Sequence, residues 1–234
     1  MSLVLSLETS TEACSVALCG ESVEHELFEV AARQHSQRLL PMIEQLLAET
    51  GTARSQIDAV AFGRGPGAFT GVRIATASAQ GLGWALDRPV IAVSTLAALA
   101  QQGLRRHGAE RILAALDARM HEIYWGVWQC HEGSLRAMTE ETVCPPQAVA
   151  TQLPPQWPAD SLGIGSGWLY KADIPIVVAS TDTAAYPRAI DVATLAIPRH
   201  AEGLGLPAEQ VAPVYLRHSV THAVVNPPLS KCTE

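Results

Sequence analysis

Short apolar runs separated by polar turns characterise the first 30 residues of the chain. Two runs lie at 3–7 and 14–18, and a third with partial alternation covers 23–30. Runs of this length bounded by polar residues are typical of β-strands. A turn of hydroxyl and carboxylate side chains, Glu8–Glu12, joins the first two runs. The pattern therefore predicts a β-hairpin followed by a third strand.

Helical periodicity begins near residue 36. We predict a helix at 36–50 with Ser36 as its N-cap, because serine at this position accepts hydrogen bonds from the free N–H groups of the first turn. Gly51 is the expected C-terminal stop. One face of this helix is apolar and consists of Leu39, Leu40, Ile43, Leu46 and Leu47.

The stretch 59–74 is the most distinctive part of the chain. An apolar run ends in Gly63-Arg64-Gly65-Pro66-Gly67, and Thr70 then caps a predicted helix at 70–86. No Lys-Ser or Lys-Thr follows, as a Walker A loop would require, and the glycine spacing differs from the dinucleotide-binding fingerprint. The pattern predicts a strand, a glycine turn and a docking helix. A strand at 90–93 and a third helix at 95–104, capped by Ser94-Thr95, come next.

One stripe of the helix at 70–86 lacks bulky side chains. Its members recur every four residues and are Gly71, Ala75, Ala79 and Gly83. Such a stripe buries little apolar area, but it lets a second helix approach closely. We interpret it as a docking face. The alternative is that the helix lies tightly on the sheet of its own chain.

The second half of the chain repeats the plan of the first. An apolar run at 112–116 ends in Asp117-Ala118-Arg119, and a second run follows at 123–128. This echo suggests a duplicated half. We therefore predict a first lobe at 1–105, a second at 106–200, and a segment at 201–234 that returns to the first lobe and ends in a loose tail.

Composition limits the kinds of partner. The formal net charge is −7, only two of the 16 basic residues are lysines, and the largest basic cluster is Arg105-Arg106. An autonomous nucleic-acid-binding protein is not expected from such a distribution. The five cysteines form no Cys-x-x-Cys pair, and no apolar run approaches the ~18 residues of a membrane span. We expect a cytoplasmic protein without disulfide bonds.

The polar turn of the first hairpin holds the candidate residues for nucleotide binding. Its weak candidates are Glu8, Thr9, Ser10 and Thr11, whose hydroxyls and N–H groups could hold a phosphate at a sheet end. The alternative is an ordinary polar turn. His218 and His222 have the spacing of two metal ligands on one helix face, but no acid near them completes a site. We expect no metal and no cofactor.

Several segments together resemble the bacterial TsaB family, also called YeaZ. They run through most of the chain in the family's order. These segments are Leu5–Leu18, His35–Pro41, Gly65–Ile74, Asp117–Arg119 with Glu122–Tyr124, and Pro213–Arg217.

The resemblance implies an α/β fold of the two-lobed sugar kinase/actin (ASKHA) type, built from two ribonuclease-H-like halves. It also implies a role in making N6-threonylcarbamoyladenosine at position 37 of tRNAs that read codons beginning with A. In that system the paralogue TsaD is the catalyst and TsaE joins the pair. TsaD-like chains carry a His-x-x-x-His metal site after the strand that follows the glycine-loop helix. The corresponding run here, 93–99, has no His, Asp, Glu or Cys, so a noncatalytic subunit is expected.

Family members pair through helices of the first lobe, with themselves or with TsaD. The resemblance therefore implies TsaD and TsaE as partners, a homodimer when the chain is alone, and tRNA contact only through the complex. Two alternatives are an ATP-dependent phosphotransferase using the turns at 8–11 and 163–167, and a peptidase, although Gly-x-Ser-x-Gly and His-Glu-x-x-His motifs are absent. The expected interface consists of Ser36, Leu39, Leu40, Ile43, Gly71, Ala75, Ala79 and Gly83.

Overall fold

Two mixed β-sheets, one from each half of the chain, form the framework of the molecule. The structure is a computed structural model, and it describes residues 2–154 and 157–217. The first sheet has the strand order β3-β2-β1-β4-β5. Its first three strands are antiparallel, and β4 and β5 continue parallel to β1. The strands are β1 (Val4–Glu8), β2 (Ala13–Cys19), β3 (Glu24–Val30), β4 (Ala59–Gly63) and β5 (Val90–Val93).

The second sheet repeats this topology. Its order is β11-β10-β6-β7-β8, with β9 paired to β7, so that read from β8 it matches the first sheet strand for strand. Both sheets have a ribonuclease-H-like order, which confirms the two-lobed sugar kinase/actin-like fold predicted from the sequence. The strands are β6 (Arg111–Arg119), β7 (Glu122–His131), β8 (Ser134–Ala137), β9 (Thr142–Cys144), β10 (Leu162–Ile164) and β11 (Ser180–Asp182).

Helices cover both faces of the first sheet. One face, which carries Leu7 and Phe62, packs beneath the first two helices; the opposite face, which carries Val4 and Ala61, packs beneath the last helix. Such burial on both faces explains why the central strands read as continuous apolar runs. The helices are α1 (His35–Thr50), α2 (Phe69–Leu86), α3 (Thr95–His107), α4 (Val149–Gln152) and α5 (Ala189–Ala201).

Two helices are exchanged between the halves of the chain. Leu96 and Leu99 of α3 pack against the second sheet, although α3 lies within the predicted first lobe. Val192 and Ala196 of α5 pack against the first sheet, although α5 lies within the predicted second lobe. The packing units therefore do not coincide with the predicted divisions at 105 and 200. Periodicity shows that a helix has an apolar face, but it does not show which sheet that face covers.

Two of the three predicted N-caps are corrected by the structure. Helix α1 begins at His35, so Ser36 lies inside the first turn, and α2 begins at Phe69, so Thr70 also lies inside. Neither helix has a side-chain cap. The cap of α3 is as predicted: the Ser94 hydroxyl accepts a hydrogen bond from the Ala97 N–H at 3.2 Å. Helix α3 continues to His107, three residues beyond its predicted end.

After α5 the chain crosses back over the first lobe. Leu206 and Val90 exchange backbone hydrogen bonds of 2.8 and 2.9 Å, and the Val214 N–H donates to the Arg64 carbonyl at 2.8 Å. Ala208 and Val211 are buried in the core shared with α2. The candidate ligands His218 and His222 lie outside the described residues.

No helix in the described part of the chain is both long and apolar enough to cross a membrane. Four cysteines lie in that part, Cys14, Cys19, Cys130 and Cys144, and each has a free thiol.

Candidate functional site

The hairpin turn at 8–12 and the glycine turn at 63–71 meet in the first lobe. A Cβ on Gly71 would lie 2.0 Å from the Thr9 carbonyl oxygen, and one on Gly67 would lie 2.4 Å from the Ser10 carbonyl oxygen. The Ala68 N–H donates to that same Ser10 oxygen at 2.7 Å. Glycine is required at these two positions because another backbone occupies the space that a side chain would need.

The Glu8 carboxylate points into the protein rather than towards a ligand. It is 1% exposed and accepts hydrogen bonds from the Ser10 N–H at 2.7 Å and the Ser10 hydroxyl at 2.5 Å. The Thr95 hydroxyl lies 3.3 Å from its second oxygen. Burial raises the pKa of Glu8, although these hydrogen bonds oppose the shift. Glu8 therefore connects the hairpin turn to the start of α3.

The other candidates for nucleotide binding are also used internally. The Thr9 hydroxyl donates to the Gly71 carbonyl at 2.8 Å, and Thr9 and Ser10 are 0% and 1% exposed. The Thr11 hydroxyl accepts from the Ala13 N–H at 3.3 Å. The structure therefore favours the alternative interpretation, a polar turn that stabilises the fold, over a phosphate site at Glu8, Thr9, Ser10 and Thr11.

The turn at 163–167 is likewise closely packed. The Trp168 ring lies against Gly163, and its indole N–H donates to the Leu113 carbonyl at 2.9 Å. A Cβ on Gly165 would lie 2.4 Å from the Ala115 carbonyl oxygen. These glycines make room for a buried tryptophan and a neighbouring strand.

A cleft of about 810 Å³ opens between the two lobes. Phe69, Arg73 and Tyr215 line it on the first-lobe side, and Met120 and Leu169 line it on the second-lobe side. The apolar members are well exposed: Phe69 57%, Tyr215 40%, Met120 48% and Leu169 71%. No local sequence pattern marks this cleft, because its residues come from segments that are far apart in the chain.

Charged residues connect the lobes along one rim of the cleft. Arg119 lies 3.1 Å from both Asp117 and Glu12, and therefore joins the second-lobe hairpin to the first-lobe turn. Arg217 pairs with Glu122 and donates to the Arg119 carbonyl at 3.3 Å. The Asp117–Arg119 and Pro213–Arg217 segments, noted separately in the sequence, thus meet in space.

The small-residue stripe of α2 faces the chain's own sheet. Ala75 and Ala79 are 0% exposed, and Gly71 and Gly83 are also buried. A Cβ on Gly83 would lie 2.4 Å from the Val90 side chain. The expected docking face is therefore corrected: these four residues let α2 lie close to its own strands, as in the alternative interpretation.

The predicted α1 residues divide between core and surface. Leu39 and Ile43 are buried at 1% and 2% in the core of the first lobe, so they are not accessible to a partner. Ser36 and Leu40 are exposed, Leu40 at 54%.

A second small-residue stripe lies on the outer surface of α2. Ala77, Gly81 and Ala85 are exposed at four-residue spacing, and the space around Gly81 is open. Trp84 beside them is 76% exposed. Arg73 is the only charged residue in the helix. The repeat of small residues at 77, 81 and 85 is the sequence signal of this face, and it has the same spacing as the buried stripe at 71–83.

Within residues 2–154 and 157–217, no group of three or more His, Cys, Asp or Glu side chains has an arrangement suited to a metal ion. In the run at 93–99, the Thr95 hydroxyl binds Ser10 and Glu8, while Leu96 and Leu99 are core residues.

Comparisons with known proteins agree with this architecture. The family model described as TsaD, tRNA N6-adenosine threonylcarbamoyltransferase, matches residues 27–224. The chain is 41% identical to the tRNA threonylcarbamoyladenosine biosynthesis protein TsaB of Escherichia coli K12, over 93% of this chain and 95% of that protein. It is 32% identical to the TsaB of Bacillus subtilis 168, over 80% and 75% of the two chains. The solved structure of YeaZ from Pseudomonas aeruginosa is 52% identical, with a TM-score of 0.88 over 92% of this chain and all of that one.

Proposed function

This chain belongs to the TsaB family of tRNA threonylcarbamoyladenosine biosynthesis proteins, and we propose that it acts there as a noncatalytic subunit that binds TsaD. TsaE joins this pair in the proposed complex. The chain's role is to hold TsaD in an active assembly, and tRNA is reached only through the other subunits.

The main support for this proposal is the exposed, almost uncharged outer face of α2. An exposed tryptophan beside three small residues offers a large apolar anchor and room for close backbone approach. Leu40 of α1, 54% exposed, adds apolar area to the same helical layer. Scattered apolar surface residues are normal, but an almost uncharged face along an 18-residue helix favours a helical partner.

The partner's architecture supports the same face. The family model for TsaD fits residues 27–224 of this chain, which include α1 and α2, so TsaD has equivalent helices to offer. Two related helix pairs that meet face to face can form a pseudo-twofold dimer. The same geometry would join two copies of this chain when TsaD is absent, which supports the proposed homodimer.

The polar turns support a noncatalytic role. The hydrogen-bonding groups of Glu8, Thr9 and Ser10 are used in holding the fold, and the sequence at 93–99 offers no metal ligand. Among the described residues, hydrogen bonds of histidine rings go to Ala13, Glu49 and Asp182, and none reaches a serine or cysteine. That pattern does not favour the peptidase alternative.

Charge supports an indirect relation to tRNA. The net charge is −7, and the largest basic cluster of the sequence is Arg105-Arg106. Arg105 is already paired with Asp191 at 2.8 Å, so this cluster does not provide two free cations for phosphates.

The test is light-scattering chromatography of the chain alone and mixed with TsaD from the same organism. We expect a homodimer alone and a stoichiometric heteromer in the mixture. A reconstituted reaction with TsaE, assayed for the modified nucleoside by mass spectrometry, should require both chains. Two separate peaks in the mixture, or full modification without this chain, would refute the proposal. ATP-dependent phosphotransfer by the isolated chain would favour the phosphotransferase alternative instead.

A further inference from the structure

Arg73 in the interlobe cleft is a cation that is held in place from two sides. Its guanidinium carbon lies 3.7 Å from the centroid of the Phe69 ring, a cation–π contact. Its Nε donates a hydrogen bond of 2.8 Å to the Tyr215 hydroxyl. In the described ranges 2–154 and 157–217, no acidic residue pairs with Arg73 and neither Nη group has a hydrogen-bond partner. The forked end of the side chain is therefore positioned and available.

The other cations that line the cleft are already neutralised. Arg119 pairs with Asp117 and Glu12, and Arg217 pairs with Glu122. Among the described residues that line the cleft, Arg73 is consequently the cation without an acidic partner.

The walls around Arg73 are apolar. Phe69 and Tyr215 form one side, with ring centroids 5.6 Å apart, and Met120 and Leu169 lie among the lining residues of the other. A volume of about 810 Å³ is within the usual range for small-molecule pockets, ~300–1,000 Å³. A ligand that covers these side chains would gain hydrophobic free energy in addition to its ion pair with Arg73.

The anion that fits best is a carboxylate rather than a phosphate. A guanidinium fork matches the two oxygens of a carboxylate, whereas phosphate sites commonly add a second cation or a nest of free backbone N–H groups. In the neighbouring glycine turn, the Ala68 N–H already donates to the Ser10 carbonyl and is not available to a phosphate.

We propose that the interlobe cleft binds an amphiphilic carboxylate, meaning an apolar or aromatic group that carries one carboxylate. Arg73 binds the carboxylate through its Nη groups, and Phe69, Tyr215, Met120 and Leu169 cover the apolar part. The carboxylate belongs either to a free small molecule or to an acidic side chain of a polypeptide segment. Arg73 lies one helical turn before Ala77 on the exposed face of α2, so this site adjoins the proposed TsaD contact. Its ligand is tested on the isolated chain, so a failure of this proposal is distinguishable from a failure of the TsaD proposal.

The test uses 3-phenylpropionate and its neutral analogue 3-phenylpropanamide as probes in calorimetric titrations of the full chain. We expect saturable binding of the acid and binding of the amide that is at least about tenfold weaker. Arg73→Met should weaken binding of the acid about tenfold, and Arg73→Lys should weaken it less, since lysine keeps the charge but not the fork. Arg136→Met, at an exposed arginine of β8, is the matched control and should leave binding unchanged.

A capped Gly-Phe-Glu-Gly peptide distinguishes the two sources of the carboxylate. Tighter binding of the peptide than of 3-phenylpropionate indicates a polypeptide segment, and the reverse indicates a small molecule; both support the proposal. Equal binding of acid and amide, unchanged binding in a folded Arg73→Met variant, or no saturation by either acid or peptide up to about 10 mM would overturn it.

Discussion

Arg105 of α3 and Asp191 of α5 form a two-pronged ion pair between the two exchanged helices. The guanidinium Nε and Nη2 donate to the two carboxylate oxygens, each at 2.8 Å. The Asp191 side chain is fully buried, whereas Arg105 is 36% exposed. Since α3 packs on the second sheet and α5 on the first, this pair connects the two lobes.

Removing the arginine should destabilise the protein. Arg105→Met leaves the Asp191 carboxylate buried without its partner, and we expect the free energy of unfolding to fall by about 2–3 kcal/mol, less than for a fully buried pair because Arg105 is partly exposed. Urea denaturation measures this change. Arg106→Met, at the exposed neighbouring residue, is the control and should have little effect.

The loss in Arg105→Met should also depend on pH. Burial raises the pKa of Asp191, and Arg105 opposes that shift. In folded Arg105→Met this opposition is lost, so the pKa of Asp191 should be still higher. An acid with a raised native pKa binds more protons folded than unfolded, and stability then falls as the pH rises through that window. The deficit should therefore be larger at pH 8 than at pH 5. A deficit independent of pH would contradict this account.

Two glycines of α2 provide a matched test of the buried and exposed faces. Gly71→Ala places a Cβ against the Thr9 carbonyl and should lower the free energy of unfolding by about 3 kcal/mol or more. Gly81→Ala enters open space within the helix and should raise it by up to about 1 kcal/mol. Denaturation at several protein concentrations separates these effects from dimerisation, because only the contribution of dimerisation depends on concentration. Equal effects of the two substitutions would show that the helix is oriented differently.

The variant Glu8→Gln tests whether the buried carboxyl group of Glu8 titrates with a raised pKa in the folded protein. Because burial raises the pKa of Glu8, the wild-type protein should lose stability as the pH rises above the unfolded-state value of 4.5 through the native one. The variant has no ionisation at this position. The wild-type advantage in free energy of unfolding should therefore be larger at pH 4.5 than at pH 8. A constant difference across this range would mean that Glu8 does not titrate with a raised pKa.

A charge on the outer face of α2 should weaken the proposed complex. In Ala77→Glu, binding to TsaD would bury an unpaired carboxylate, and we expect affinity to fall at least about tenfold without loss of folding. Analytical ultracentrifugation of the variant mixed with TsaD measures this affinity. The control is Ala201→Glu, at an exposed position of α5. Equal affinity of the Ala77 variant and the wild type would exclude this face.

The central strands and the first three helices were predictable because each has a local pattern, whereas the short elements β8, β9, α4 and β11 were not predicted. The hairpin, the strand–turn–helix at 59–86 and the repeated plan after 111 all follow from periods of two or 3.6 residues. The exchange of α3 and α5 was not predictable in this way, because either sheet could accept their apolar faces. Arg105 and Asp191 are 86 residues apart in the chain, and a local pattern of residues does not indicate such a pairing.

The orientation of α2 shows why the candidate site was harder to predict than the fold. The helix has almost no charged residues, and small residues recur every four positions both at 71–83 and at 77–85. Polarity therefore does not distinguish its core face from its outer face. Likewise, a turn rich in Glu, Ser and Thr has the same composition whether it holds a phosphate or, as at Glu8, binds the backbone and hydroxyls of its own chain.

The position of α5 has a consequence during synthesis of the protein. Strands β1, β4 and β5 are complete by residue 93, but the helix that covers one of their faces ends only at residue 201. At about 5–20 residues per second, a growing chain exposes that apolar sheet face for several seconds before its cover emerges. We therefore expect the nascent first lobe to bind chaperones through this uncovered face, and we expect fragments that end before α5 to aggregate rather than to fold as an independent half.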